Sequence, residues 1–356
     1  MAVIIWYGSA DDQKYYSSEE WVMVQVQDKQ ATATSPSADS PRRSKKNRQD
    51  SESSSKVAPV FARHETFHPR FGWLKKGFDH AAEDSQVFLA ENATVRLGVG
   101  KNMVRSIRYW MTAFKLLDND EPTAFGQRLL GPDGWDTYLE DPASLWLLHW
   151  KLLEHTSESP CLASVWSYVF SEFRRNTFTQ GEMEGELYDW RDRISPRTAD
   201  SSIKKDVLCL LKMYVEQPVK RLTNEDSLDC PFTQLGLMHT AGDKRHFRFQ
   251  VGPKATLPPA VVAYACLHHT ERSVSGSTIP VSKLLYDPGS PGLVFKLTEG
   301  ALCEALDQAG RLYGNVAIAD GAGRLQFSFT GDAPELAQDI LNQYYSQPNQ
   351  PGTTGE

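Results

Sequence analysis

The chain has 356 residues, a net charge of −7 and 40% hydrophobic residues, among them 16 Phe, 13 Tyr and 9 Trp. This composition supplies a sizeable core, and the length suggests two to three domains. Because the protein is acidic, only a locally basic surface can bind a polyanion. No run approaches the roughly 18 apolar residues of a membrane span, so we expect no membrane partner. The five scattered Cys argue against a disulfide framework or zinc ribbon, so we expect a cytoplasmic protein.

The first predicted element is an N-terminal extension, residues 1–30, with two short strands around Tyr15 to Ser18. Residues 31–57 follow and are rich in Ser and charge but almost empty of bulky apolar residues. Such a segment buries too little apolar surface to offset the entropy of ordering. We therefore predict that residues 31–57 are a disordered linker and that the folded body begins near Ala58.

Residues 58–133 predict a winged-helix-like DNA-binding module. The pattern indicates a helix over 73–90, a short helix over 91–97, a third helix from Gly100 to Asp118, and then a turn or β-wing. The third helix carries an apolar stripe at helical spacing, formed by Met103, Ile107, Trp110, Met111, Phe114 and Leu117. Gly98 and Gly100 before it are typical of a tight turn between helices.

The opposite side of this third helix is a basic stripe that no acid interrupts. It predicts a DNA-recognition helix, and the alternative is an ordinary solvated helix face. Backbone N–H groups at its start can also donate hydrogen bonds to a phosphate. Between residues 61 and 115 there are nine Lys and Arg against five acids. The predicted DNA-binding residues are Lys101, Asn102, Arg105, Arg108 and Lys115 on the helix, and Arg63, Arg70, Lys75 and Lys76 before it.

His64-Glu65-Thr66-Phe67-His68 matches the H-E-x-x-H pattern of zinc proteases. Pro69 follows directly and cuts the required helix short, so zinc proteolysis is disfavoured. One alternative is a structural loop in which Glu65 pairs with Arg70 or Lys75 and Phe67 packs. Another is a phosphodiester-cleaving site holding Mg²⁺ or Mn²⁺, with His64 and Glu65 catalytic and Glu65 and His68 as metal ligands.

Residues 134–250 predict a helical bundle. Asp141 and Pro142 are typical of an N-cap followed by proline at the first helical position, ahead of an apolar helix containing His149. A later helix over 203–215 has its own core stripe, with three lysines facing the other way. We expect this block to be structural, joining two modules.

Residues 251–346 predict a second winged-helix-like module, followed by a polar tail over 347–356. Thr298 caps a helix over 299–312, and alternating apolar residues on either side of Asp320 and Gly321 predict a hairpin. Acids dominate that helix, so we expect this module to bind protein rather than DNA. The predicted fold class is mainly α with a minor α+β component.

Several blocks resemble a bacterial domain-of-unknown-function family, that of the SspB-type component of DNA phosphorothioation systems. The similarity is carried by residues 61–78 and 97–110, with further blocks at 138–150, 205–207 and 290–297, and it spans about residues 59–345. The extension and linker lie outside it. The resemblance assigns no site residues, and the candidate site residues above rest on the residues of this chain alone.

The resemblance implies a role beside phosphorothioation enzymes, namely a cysteine desulfurase, an ATPase and an ATP-pyrophosphatase. It also implies double-stranded DNA as a partner and anti-phage defence as the setting. We therefore expect a DNA-binding subunit, with metal-dependent DNA nicking as a possible activity. The alternatives are a non-enzymatic adaptor presenting DNA to the sulfur-transfer enzymes, and a winged-helix transcription regulator.

Overall fold

The computed structural model describes residues 58–156, 159–216, 230–243, 245–273, 276–321 and 323–347. The predicted extension over 1–30 and linker over 31–57 lie outside these residues, as does the predicted tail apart from Gln347. All of the described residues belong to one compact unit. Boundaries at residues 133 and 250 stay predictions.

The N-terminal elements are four helices and a minimal strand pair. They are α1 (Trp73–Glu83), α2 (Ala93–Leu97), α3 (Lys101–Ala113), β1 (Leu117–Asp118), β2 (Glu121–Pro122) and α4 (Ala124–Leu130). The three predicted helices are present, but α1 and α3 are shorter than the sequence indicated. Helix α3 ends early because Lys115 adopts a left-handed φ of 62° and turns the chain towards β1.

Helix α3 forms and packs as its apolar spacing predicts. Ile107, Trp110 and Met111 are fully buried on its inner side. Gly98 ends α2 with a φ of 62°, and its backbone amide donates to carbonyls of that helix. Gly77 lets α1 approach closely, because a Cβ at this position would lie 2.7 Å from Cγ2 of Ile107.

The middle of the chain is not helical throughout, which corrects the prediction of a helical bundle over 134–250. Its elements are α5 (Pro142–Leu153), α6 (Ser164–Ser171), β3 (Thr177–Thr179), α7 (Gln180–Ile194), α8 (Asp200–Tyr214), a 3₁₀ helix (Pro231–Leu235), β4 (Met238–Thr240) and β5 (His246–Phe249). The strands form an antiparallel sheet in the order β3-β5-β4. Each strand has three or four residues, too few for alternation to stand out in the sequence.

The predicted start of α5 is confirmed. The Asp141 carboxylate accepts a 2.8 Å hydrogen bond from the Ala143 amide, and Pro142 occupies the first turn. The helix is buried nearly all round, as its uniform apolar composition predicts. His149 lies in the core, where Nδ1 accepts from the Tyr214 hydroxyl at 2.8 Å and Nε2 donates to the Val294 carbonyl at 3.0 Å.

The C-terminal part contains five helices and a second three-stranded sheet. Its elements are α9 (Pro259–Ser273), β6 (Thr278–Pro280), α10 (Val281–Tyr286), α11 (Pro291–Val294), α12 (Glu299–Tyr313), β7 (Val316–Gly321), β8 (Arg324–Phe329) and α13 (Ala333–Ser346). Thr298 caps α12 as predicted. The hairpin is also confirmed, but Gly321 still pairs with Arg324, so the turn lies beyond the predicted position.

The two three-stranded sheets share one connectivity. In each sheet, a helix leads to the first strand, and further helices follow that strand. A hairpin then supplies the other two strands, and the second strand of the hairpin pairs with the first strand of the sheet. The resulting strand orders are β3-β5-β4 and β6-β8-β7. The winged-helix assignment of the two terminal modules stays a prediction. Among the described residues no helix has both the length and the apolar character needed to cross a bilayer.

Helix α13 contacts α4 and the loop between α4 and α5. Tyr345 stacks on Trp135 with a centroid separation of 5.2 Å, and the Tyr344 hydroxyl donates to the Asp141 carboxylate at 3.0 Å. Arg128 of α4 donates to the Gln338 side chain of α13 at 2.5 Å. The last helix therefore holds the loop that precedes α5.

Candidate nucleic-acid interface

A groove of about 530 Å³ opens where α1 and α3 begin. Its walls combine apolar and cationic side chains with exposed backbone. The lining residues are Arg70, Phe71, Gly72, Trp73, Lys76, Gly98, Val99, Gly100 and Met103. An apolar floor with cations at the edge suits a polyanionic ligand that also presents flat apolar surfaces.

Two helices start at this groove without a side-chain cap. Their N-cap residues are Gly72 for α1 and Gly100 for α3, and neither has a side chain to accept from the first-turn amides. The positive ends of both helix dipoles therefore lie at the groove wall. This backbone arrangement favours an anion such as a phosphate.

Arg70 and Lys76 contribute the cations that line the groove. The Arg70 guanidinium lies 5.1 Å from the Trp73 ring centroid and 5.8 Å from that of Phe67. Lys76 is exposed, and its Nζ donates to the Leu97 carbonyl at 3.2 Å. These contacts hold both side chains at the groove.

The exposed end of α3 continues this cationic surface. Lys101 and Asn102 form its first turn and are exposed, as is Arg63 on the preceding loop. Within the described part of the chain, Lys101 and Arg63 have no ion-pair partner. The Arg105 side chain is 56% exposed and lies 3.6 Å from the half-buried Glu65 carboxylate. Exposed pairs of this length contribute little to stability, so Arg105 remains available to a ligand.

Arg108 is placed differently from Arg105. Its Nε and one terminal nitrogen donate to the two carboxylate oxygens of Asp120, each at 2.7 Å. Asp120 is buried in the β1–β2 turn, whereas the Arg108 side chain is 42% exposed. The bidentate pair ties α3 to this turn and neutralises the guanidinium. The predicted recognition stripe therefore has one cation committed to the protein.

Lys115 departs from its predicted role as a DNA contact. Its Nζ donates to the Pro160 carbonyl, and burial lowers the pKa of the amine. Because Lys115 follows the end of α3, it no longer shares the helical stripe. Lys75 is also engaged, donating to Asp79 at 2.6 Å and to the Leu130 carbonyl at 3.4 Å. Neither lysine adds a free charge to the surface.

His64 is buried in the core rather than exposed to a substrate. Its Nδ1 accepts from the Thr66 amide at 3.1 Å, so the proton resides on Nε2, which donates to Asp206 at 2.7 Å. The ring packs against Trp110 and Trp166 with centroid separations of 6.0 and 5.7 Å. Sequence reasoning missed Asp206, because nothing local connects it with residues 62–64.

Asp206 fixes the whole turn that carries His64. Both of its oxygens accept from the Ala62 amide, at 3.0 and 3.1 Å. Burial raises the pKa of this carboxyl, and the hydrogen bond from His64 opposes that rise. The pair is a buried structural link between α8 and the N-terminal loop.

Glu65 and His68 do not join His64 in a metal site. Glu65 has a left-handed φ of 50° and approaches Arg105. His68 is half-buried, and its Nδ1 lies 3.3 Å from the carbonyl oxygen of Pro69. The predicted break in the H-E-x-x-H segment is therefore present. In the described ranges, no group of three or more His, Cys, Asp or Glu is arranged to hold a metal ion. These three residues do not fit Mg²⁺ or Mn²⁺.

Comparisons with known proteins give one family and two closely similar structures. The model of a family described as a protein of unknown function, DUF4007, matches residues 61–345. An SspB crystal structure is 37% identical with a TM-score of 0.75, covering 81% of this chain and 88% of that one. A magnesium ion-bound SspB crystal structure is 36% identical with a TM-score of 0.75, covering 82% and 91%. No curated protein matches the chain.

Proposed function

The chain belongs to the DUF4007 family, and on this premise we propose that it is a DNA-binding component of a bacterial DNA phosphorothioation system. The resemblance in its sequence implied this setting, and the similarity to SspB over most of both chains supports it. Its proposed partners are double-stranded DNA and the sulfur-transfer enzymes, namely the cysteine desulfurase, the ATPase and the ATP-pyrophosphatase.

One observation carries the DNA-binding proposal, the cationic surface around the groove at the start of α3. Lys101 and Arg63 are exposed without an acidic partner in the described residues, Arg105 is only loosely paired, and Lys76 is exposed. An acidic chain that concentrates available cations beside two uncapped helix starts has the local surface that a polyanion requires. Phosphate groups of DNA are the ligand this surface fits best.

Each group has a distinct proposed role. The backbone N–H groups of Lys101 and Asn102 donate to a phosphate, and the Lys101 and Arg105 side chains contact the adjacent DNA backbone or base edges. The same DNA strand is flanked by Arg63, Arg70 and Lys76. In this proposal the first three helices and the β1–β2 turn act as a winged-helix-like module, with α3 as the recognition helix.

The test is a fluorescence-anisotropy titration of a labelled duplex at several salt concentrations. Lys101→Ala combined with Arg105→Ala should weaken binding on the order of tenfold and reduce the salt slope by about 2. A matched control removes two exposed cations from the C-terminal part, Lys283 and Arg324, and should bind like the unaltered protein. Equal affinity and slope in all three proteins would contradict the proposal.

DNA nicking is a second candidate function, favoured by the magnesium ion in one SspB structure. His64, Glu65 and His68 do not assemble a metal site, so we derive no catalytic step from them. Supercoiled plasmid incubated with Mg²⁺ or Mn²⁺ decides between nicking and a non-enzymatic adaptor. Open-circular plasmid whose amount rises with the concentration of the purified protein would support nicking. Plasmid that stays supercoiled with both metals would support the adaptor.

A further inference from the structure

Helix α8 exposes a narrow cationic stripe in the middle of the chain. Its inner side is buried through Ile203, Val207, Leu210, Leu211 and Tyr214. Its outer side consists of the exposed residues Ser201, Lys204, Lys205, Leu208 and Lys212. The spacing places all five on one face of the helix, so the stripe follows from the same periodicity that builds the core.

The three lysines of this stripe are available. None has an ion-pair partner within the ranges that the structure describes. No acid lies on the outer face between Asp200 and Glu216, because Asp206 points inward to His64. Asp200 itself is 2.8 Å from Arg191. The lysine charges therefore face solvent without a compensating acid on their own helix.

The acids of the neighbouring helix α7 are largely engaged in contacts of their own. Arg175 pairs with Glu182 at 3.2 Å and with Glu186 at 2.5 Å. Arg191 pairs with Asp192 at 2.7 Å, and Glu184 accepts from the Gln180 amide group at 2.7 Å. The ion pairs of Glu182, Glu186 and Asp192 reduce the negative charge that α7 presents to the stripe on α8.

The hairpin that follows α8 is also cationic. Arg245 and Arg248 are exposed, and neither side chain has an ion-pair partner in the described residues. Arg248 lies on β5 between Thr177 of β3 and His239 of β4, whereas Phe249 faces the core. Like α3, α8 is thus a helix that precedes a β-hairpin and exposes cations on its outer face.

We propose that α8 is a second DNA-contacting helix and that its ligand is the phosphate backbone of the same duplex. Lys204 and Lys212 are eight residues apart, about 12 Å along the helix, which matches the width of the major groove of B-DNA. Leu208 lies between them and provides an apolar contact. The inference deepens the proposed function, because it names a second surface for the ligand that α3 binds.

Two contact helices that bind one duplex make binding bivalent. The affinity for a duplex long enough to reach both surfaces then exceeds the affinity of either alone. A short duplex engages one helix at a time and loses this advantage. The dependence of affinity on duplex length is therefore an independent readout, because a single contact surface would not give this gain on a longer duplex.

The test replaces Lys204, Lys205 and Lys212 together with Ala in the full chain. We expect affinity for a 30-base-pair duplex to fall on the order of tenfold and the salt slope to fall by about 3, one unit for each lost phosphate contact. The matched control replaces three exposed cations elsewhere, Lys283, Arg311 and Arg324, and so removes the same charge. All of these positions are on the surface, and circular dichroism melting confirms that each variant is folded.

The outcomes separate this inference from the proposed function. If the Lys101/Arg105 variant loses affinity while the α8 variant binds like its control, the α8 inference is overturned and the proposed function stands. If the unaltered protein binds no duplex, both are overturned. If the α8 variant keeps its DNA affinity but loses binding to polyglutamate, the stripe docks an acidic protein instead, which also overturns the inference.

Discussion

The His64 imidazole lies 2.7 Å from the Asp206 carboxylate across 142 positions of sequence. Both side chains are buried, and the same carboxylate also holds the Ala62 amide. This pair ties the loop that carries Arg63 to the inner face of α8. A residue that the sequence pattern predicts to be catalytic is therefore engaged in fixing two elements against each other.

Removing one partner of this pair should destabilise the protein strongly. His64→Ala leaves the buried Asp206 carboxylate without its imidazole, and losses of about 3 to 5 kcal/mol are typical when one partner of a buried pair is removed. Replacing both residues with Leu should cost less than the single change, since no charge is then left buried. Urea denaturation measures both. Equal unfolding midpoints for His64→Ala and the unaltered protein would refute the structural role.

Glu65→Gln should strengthen DNA binding. The change removes the carboxylate that lies 3.6 Å from Arg105 and leaves the guanidinium free for a phosphate. We expect a few-fold gain in duplex affinity at low salt that shrinks as salt is added. Anisotropy titrations give the affinity. If affinity is unchanged while plasmid nicking disappears, Glu65 acts in catalysis rather than by restraining Arg105.

Asp120→Ala should change stability and DNA affinity in opposite directions. The variant loses two charge-assisted hydrogen bonds, which contribute on the order of 2 kcal/mol together, so the free energy of unfolding falls. It also releases Arg108, so the salt slope of DNA binding should rise by about 1. Arg108→Ala is the matched control, with a similar loss of stability and no gain in slope. A slope that falls in Asp120→Ala would contradict this account.

Lys296 should make stability depend on pH in the alkaline range. Burial lowers the pKa of its amine to about 7, beside the rings of Phe170 and Phe249. Between about pH 7 and its ordinary pKa of 10.5, the unfolded chain binds a proton that the folded chain does not, so stability rises with pH across this window. Lys296→Met should therefore be more stable at pH 7, by about 1 to 3 kcal/mol.

Urea unfolding of Lys296→Met at pH 7 and pH 10 checks this prediction. The variant should show a flatter dependence on pH than the unaltered protein. Lys283→Met, at an exposed position, is the control and should leave the dependence as it is. A steeper slope in Lys296→Met would mean that the amine is charged and stabilising in the folded state.

Features with local causes could be predicted from the sequence. Asp141 and Thr298 cap their helices through atoms two or three residues away, and Gly98 ends α2 through its own backbone conformation. The apolar stripe of α3 needs only helical periodicity. Such signals are complete within one short window, and the corresponding elements are present in the structure.

Features with distant causes could not be predicted. Nothing near Arg108 identifies Asp120 as its bidentate partner, since that contact depends on left-handed backbone at Asp120. Lys115 leaves the predicted stripe for the same kind of reason, with its own φ of 62°. The alternation from His246 to Phe249 was a signal for strand β5 of the middle sheet. The strand that pairs with it, Thr177–Thr179, lies about seventy residues earlier in the chain.

The stacking of Tyr345 on Trp135 has a consequence for biosynthesis. The loop before α5 leaves the ribosome more than two hundred residues ahead of the aromatic ring and hydroxyl that complete its surroundings. Trp135 and Asp141 therefore reach their native contacts only after α13 has been translated. A product released by a ribosome that stalls before α13 lacks the ring of Tyr345 and the hydroxyl of Tyr344 that pack against this loop.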